Sequence, residues 1–65
     1  ATLRVVTTND NARAFRFYQR LGMALTAVRL NQLDVSRKLK PSIPETGIDG
    51  IPLRHELEFT MRLSQ

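Results

Sequence analysis

The chain has 65 residues, a formal charge of +4 and no cysteine, which excludes disulfides and thiolate metal sites together. A chain this short buries only about 60% of its unfolded surface, so it forms one small domain at most and draws margin from a partner or from further chain. A lone His55 cannot build a zinc site, and no apolar run reaches the roughly 18 residues that a membrane span requires.

Leu3-Arg4-Val5-Val6-Thr7-Thr8 is a β-branched run and predicts a strand. Arg4 inside this alternating start leaves no signal-peptide pattern, so cytoplasmic residence is the expectation. Asn9-Asp10-Asn11 then breaks the pattern with three residues that favour caps and turns. From Asn11 to Leu21, Ala14, Phe17, Tyr18 and Leu21 recur at helical spacing and predict one buried stripe. Arg13, Arg16 and Arg20 fall on a different face, which reads as solvated. Gly22 stands where a helix end takes a left-handed residue.

Met23 to Leu33 predicts a second strand. Met23, Leu25 and Ala27 point one way; Ala24, Thr26, Val28 and Leu30 point the other. Both faces are partly apolar, which implies cover on two sides or a bulge. Residues 35–54 form a long connection that holds all three prolines and two of the three glycines, and such loops are commonly functional or mobile. His55 to Leu63 alternates, with Leu57, Phe59, Met61 and Leu63 inward and Glu56, Glu58, Thr60 and Arg62 outward, as in a one-sided antiparallel strand. The last two strands can pair across the long loop. The first strand has no obvious neighbour, and its open edge predicts self-association.

Eight of the ten basic residues are arginines, and they are dispersed apart from Arg37-Lys38-Leu39-Lys40. No aromatic residue interleaves with that cluster, so it offers no stacking platform for nucleic acid.

One constellation is more specific: Asn11-x-x-Ala14-x-x-Phe17-Tyr18-x-x-x-Gly22-Met23. It is similar to the Asn-x-x-Ala-x-x-Leu-Tyr-x-x-x-Gly-Phe segment of the GNAT N-acetyltransferase superfamily, with Phe17 and Met23 as departures. In that family a strand precedes this helix and another follows the glycine, the order predicted here. Thr7-Thr8-Asn9-Asp10-Asn11 and Asp49-Gly50-Ile51-Pro52-Leu53-Arg54 also resemble one subgroup. The likeness spans nearly all of the chain and only the C-terminal half of the family's fold. The expectation is therefore a single partial α+β domain over residues 1–65, built as strand, helix, strand, long loop, strand.

The resemblance implies acetyl transfer from acetyl-CoA to an amine, with no metal. Such a reaction releases a thiolate, which a general acid protonates. A tyrosine, with a pKa near 10, keeps its proton at neutral pH and can give it to sulfur. The resemblance puts Tyr18 in that role and sets the Asn11 amide on the pantetheine arm. Each has a plainer alternative: Tyr18 as a core aromatic, Asn11 as a helix N-cap. His55 and Glu56 read as strand-end polar residues and stay outside the catalytic set.

The glycine-rich loop that holds the pyrophosphate in this family, at a helix N-terminus, has no counterpart in these residues. Gly47-Ile48-Asp49-Gly50 carries an aspartate that would repel phosphate. The chain alone is therefore expected to be inactive, and to need a missing N-terminal half or a second copy of itself. The alternative function is a non-catalytic remnant or interaction module that associates through its open strand edge.

Overall fold

A computed structural model describes residues 1–64. Strands β1 (Thr2–Thr8), β2 (Ala24–Arg29) and β3 (Glu56–Arg62) form one sheet in the order β1-β3-β2. Both pairings are antiparallel. Helix α1 (Ala12–Leu21) joins β1 to β2, helix α2 (Gln32–Leu39) follows β2, and a short 3-10 turn (Ile48–Gly50) precedes β3. The fold is α+β, with the last strand of the chain at the centre of the sheet.

This placement corrects the reading of the first strand as unpartnered. β1 pairs with β3 from Thr2↔Arg62 to Thr8↔Glu56, so every residue of β1 has a partner. Hydrophobic alternation identifies a strand but not its neighbour, because β1 and β3 meet across most of the chain.

The β3 alternation holds within Glu56–Arg62, but Leu63, expected inward, lies beyond the strand and is exposed. Phe59 is fully buried (0% exposed) and receives the edges of Phe15 and Tyr18 from α1, with ring centroids 5.8 and 5.4 Å away. On the opposite face Glu58 and Glu56 meet Arg29, at 2.9 and 2.6 Å, and Glu58 lies 4.0 Å from Arg4.

The two-sided pattern of β2 resolves as a bulge. The register shifts between Leu25, opposite Phe59, and Ala27, opposite Glu58. Thr26 is the extra residue, and its hydroxyl reaches the Glu58 carbonyl at 3.4 Å. The insertion puts Leu25 and Val28 on the α1 side and turns Ala27 and Arg29 to the charged side.

Beyond Arg29 the strand reading fails. Asn31 turns into the left-handed region (φ 60°) and caps α2, so the strand expected to reach Leu33 stops short. The long connection expected over 35–54 begins inside a helix. α2 buries Leu33 alone and leaves Leu39 89% exposed, so it carries no apolar stripe for periodicity to detect. Its helix signal is electrostatic: Asp34 in the first turn, Arg37 and Lys38 in the last.

Arg37 organises the rest of the connection. Its guanidinium donates to the carbonyls of Ile43 (3.1 Å), Pro44 (2.8 Å) and Leu53 (2.8 Å) and pairs with Asp34 at 2.7 Å. A planar fork with five donors suits this convergence of carbonyls, and a lysine would not reproduce it. The expected basic cluster is thus divided, with its arginine turned into the loop.

Candidate functional site

The candidate site is built on α1. Asn11 caps the helix: its Oδ1 accepts from the Ala14 N–H at 3.0 Å, satisfying a backbone donor that the first turn leaves free. At the other end Gly22 adopts φ 105°. The Gly22 N–H donates to the Gln19 carbonyl at 3.1 Å and the Met23 N–H to the Tyr18 carbonyl at 3.0 Å. This pair of bonds defines a Schellman ending, and a residue with a Cβ is strained at its glycine position. Met23, next in line, is buried.

The face of α1 that meets the sheet differs from the predicted stripe. Phe15 and Tyr18 pack on Phe59, whereas Phe17 and Leu21 remain 57% and 53% exposed. Two stripes overlap in this helix and share Ala14 and Tyr18. The one that includes Asn11 and Phe15 faces the core, and the one with Phe17 and Leu21 faces outward. Phe17 retains an edge contact with Tyr18, at 5.5 Å between centroids.

Asn11 and Tyr18 lie seven residues apart, hence on one side of the helix and separated by about 10 Å along its axis. Asn11 lines a cavity of about 380 Å³ with Ala12, Arg13, Ile48 and Asp49. Tyr18 does not line it; the tyrosine is half-buried between Phe17 and Phe59. The two residues share a helix face but not a pocket.

The helix start is held by two residues that the sequence marked as cap or turn formers but not as ties to the loop. Asn9 donates to the Pro52 carbonyl (2.8 Å) and accepts from the N–H groups of Arg54 (2.9 Å) and His55 (2.8 Å). Its own N–H reaches the His55 carbonyl at 3.0 Å. Asp10 is buried (6% exposed). Its carboxylate accepts from the Thr8 hydroxyl and, at 2.9 Å, from the Ile48 N–H.

Burial pushes the Asp10 carboxyl up, but the bonds from Thr8, Ile48 and its own backbone N–H outweigh it and leave the pKa below the usual range. The same carboxylate explains Gly47. A Cβ there would sit 2.1 Å from Asp10 Oδ2, so only glycine lets the loop close on the helix start. The Thr-x-Asp spacing and Gly47 were visible in the sequence, but their contact was not.

His55 serves the scaffold. Its Nδ1 accepts from the Asn31 N–H at 2.9 Å, tying the start of β3 to the start of α2. Among the described residues no group of three or more His, Cys, Asp or Glu side chains could hold a metal ion. No helix of the described residues is long and apolar enough to cross a membrane.

No family model matches the chain, and no solved structure does. Two Bacillus subtilis (strain 168) proteins are similar to it. The uncharacterized protein YdhI is 43% identical over 58 residues, which covers 89% of this chain and 36% of YdhI. The uncharacterized protein YxbD is 42% identical over 61 residues, covering 94% of this chain and 38% of YxbD. The chain therefore spans little more than a third of the length of these curated relatives.

Proposed function

We propose that the chain is the C-terminal half of a GNAT-like domain that transfers an acetyl group from acetyl-CoA to an amine. The observation that carries this reading is the Asn11–Met23 constellation, set as a capped helix between two strands with Asn11 and Tyr18 on one side. Asn11 spends its Oδ1 on the helix cap, which leaves both Nδ2 protons for the carbonyls of a pantetheine arm. A single side chain thus caps the helix and binds the arm.

In this proposal the amine nitrogen attacks the thioester carbonyl, the C–S bond breaks and the thiolate leaves. The Tyr18 hydroxyl gives its proton to the sulfur, and the nitrogen loses its own to water, which restores the phenol. Anchoring of the pyrophosphate falls to residues outside this chain, so the isolated chain is expected to bind coenzyme A feebly and to turn over nothing.

The test replaces the matching stretch of a longer relative, such as YdhI, with this chain and assays acetyl transfer from acetyl-CoA to a panel of amines. Transfer should occur, and Tyr18→Phe should lower the turnover number about a hundred- to ten-thousandfold. Asn11→Ala should instead raise KM for acetyl-CoA. A folded chimera that transfers no acetyl group overturns the reading. An unchanged turnover in Tyr18→Phe leaves the tyrosine as core packing.

A second reading, an interaction module, is favoured by one feature: in the order β1-β3-β2, β1 is bonded on one side only. A free edge of seven residues is a template for another strand. Sedimentation on dilution decides it, and a monomer at every concentration rules out self-pairing.

A further inference from the structure

A carboxylate in the interior of so small a domain is costly unless its bonds need the charge. Asp10 does not cap α1, since Asn11 fills that place. Its bonds run instead to the Thr8 hydroxyl and the Ile48 N–H. The segment that carries Ile48 is preformed. Residues 45–53 fold back as a hairpin, with the Leu53 N–H on the Glu45 carbonyl (2.9 Å) and the Gly47 N–H on the Ile51 carbonyl (2.8 Å). At its tip Asp49 and Gly50 are both left-handed (φ 57° and 73°), and the Ile51 N–H closes the turn on the Ile48 carbonyl at 3.1 Å. Consecutive left-handed residues of the Asp-Gly type make a tight reversal. Among the described residues, the Ile48–Asp10 bond is the one hydrogen bond that ties residues 47–51 to anything outside the hairpin. Ile48 is 53% exposed, so burial of its side chain adds little hold.

We infer that Asp10 is a positioning residue for the pocket at Asn11: it latches this preformed tip beside the start of α1, so that Ile48 and Asp49 wall the pocket together with Asn11, Ala12 and Arg13. Three consecutive residues divide the work. Asn9 holds the returning arm of the hairpin at Pro52, Arg54 and His55, Asp10 holds its tip, and Asn11 caps the helix. The charge suits the latch, because a bond from an N–H to a carboxylate is shorter and stronger than a neutral one. Gly47 sets the approach, since a Cβ there would lie 2.1 Å from Asp10 Oδ2. Carboxylate and glycine are thus one device, and either a side chain at position 47 or loss of the carboxylate releases the tip. The inference rests on the acetyl-transfer reading for the ligand alone, a pantetheine arm held by Asn11 with the tip as the wall beside it. The latch itself lies wholly within this chain.

Amide exchange of the 65-residue chain, followed by NMR, reads the latch; KM and turnover number for acetyl-CoA in the YdhI chimera read its effect on the pocket. Asp10→Ala should speed exchange at Ile48 about tenfold, while Ile51 inside the hairpin and Phe59 in the sheet keep their protection. Should Asp10→Ala unfold the chain, Gly47→Ala carries the same readouts. Each single variant should raise KM for acetyl-CoA about tenfold, the effect of losing one bond to a charged group, with the turnover number nearly unchanged. The double variant should be no worse than either, because both open the same contact. Leu33→Ala is the control: it empties a buried site of α2 and lowers the melting point, yet should leave KM unchanged. Unaltered exchange at Ile48 overturns the inference. So does an unaltered KM in the single variants, an additive double variant, or an equal rise of KM in Leu33→Ala. A parent chimera without acetyl transfer sinks the acetyl-transfer reading instead. Exchange at Ile48 and the Asn11 side-chain amide signals, expected to shift in Asp10→Ala, then decide the latch without it.

Discussion

The two faces of β3 are held by different physics. On one side Phe59 is fully enclosed and takes aromatic edges from α1. On the other, Glu56 and Glu58 sit in a lattice of arginines that water still reaches. Packing scales with the area taken from water, whereas exposed ion pairs give back most of their attraction to solvent and side-chain entropy. The comparison teaches that α1 is seated by the Phe59 ring and by the Asn9 and Asp10 bonds at its start, and not by the visible salt bridges.

The strongest way to break the comparison is Phe59→Ala. Truncating a buried aromatic costs about 3–5 kcal/mol, comparable to the whole stability that a core this small supplies. Loss of the cooperative melt in circular dichroism is the expected outcome. A melting curve close to that of the parent would mean that another contact holds the helix.

Asp10 sharpens the contrast, because it is a charge on the buried side of the ledger. Its folded pKa lies below the unfolded value. The stabilisation is therefore fully present above about pH 4, the ordinary aspartate range, and is lost as pH falls through the depressed folded value. Asp10→Asn should cost about 1–3 kcal/mol and flatten the acid limb of a melting-temperature profile taken from neutral pH downward. An acid limb that survives unchanged would assign it to other carboxylates.

The smallest effect belongs to the charged face. Glu58→Gln removes a partner shared by Arg4 and Arg29, yet the expected change is about 0–1 kcal/mol and should shrink further in salt. A shift of the size seen for Asp10 in a denaturant titration would show that this face is screened less than its exposure implies.

The readable parts of the fold were those with local causes. The β-branched run of β1, the Asn11 cap, the left-handed Gly22 and the alternation of β3 each rest on residues that are neighbours in sequence. The double-sided pattern after Met23 left cover on two faces and a bulge both open, and only the register placed a bulge at Thr26. What stayed hidden was set at a distance. The choice between Phe15 and Phe17 as the inward ring depends on where Phe59 lies, and both fit helical spacing. α2 has no stripe, and its charges resembled a basic patch until Arg37 turned toward three loop carbonyls. For the candidate site, the sequence indicated Asn11 and Tyr18 by resemblance, while the clasp of Asn9, Asp10 and Gly47 emerged only in three dimensions.

The position of β3 has a consequence for how the chain comes into being. β1 and β2 share no hydrogen bonds; they stand two strand spacings apart, about 10 Å, with the gap filled by β3, which is synthesised after both. A nascent chain that ends before Glu56 holds two strands that cannot meet and a helix with no ring beneath it. Translation proceeds at about 5–20 residues per second, so β1 waits several seconds before β3 emerges. The sheet then closes in one event around the arriving strand, through contacts that are almost all distant in sequence, which places the domain among slow, non-local folders. Loss of residues from β3 therefore uncouples β1 from β2, since both pairings of this sheet run through β3.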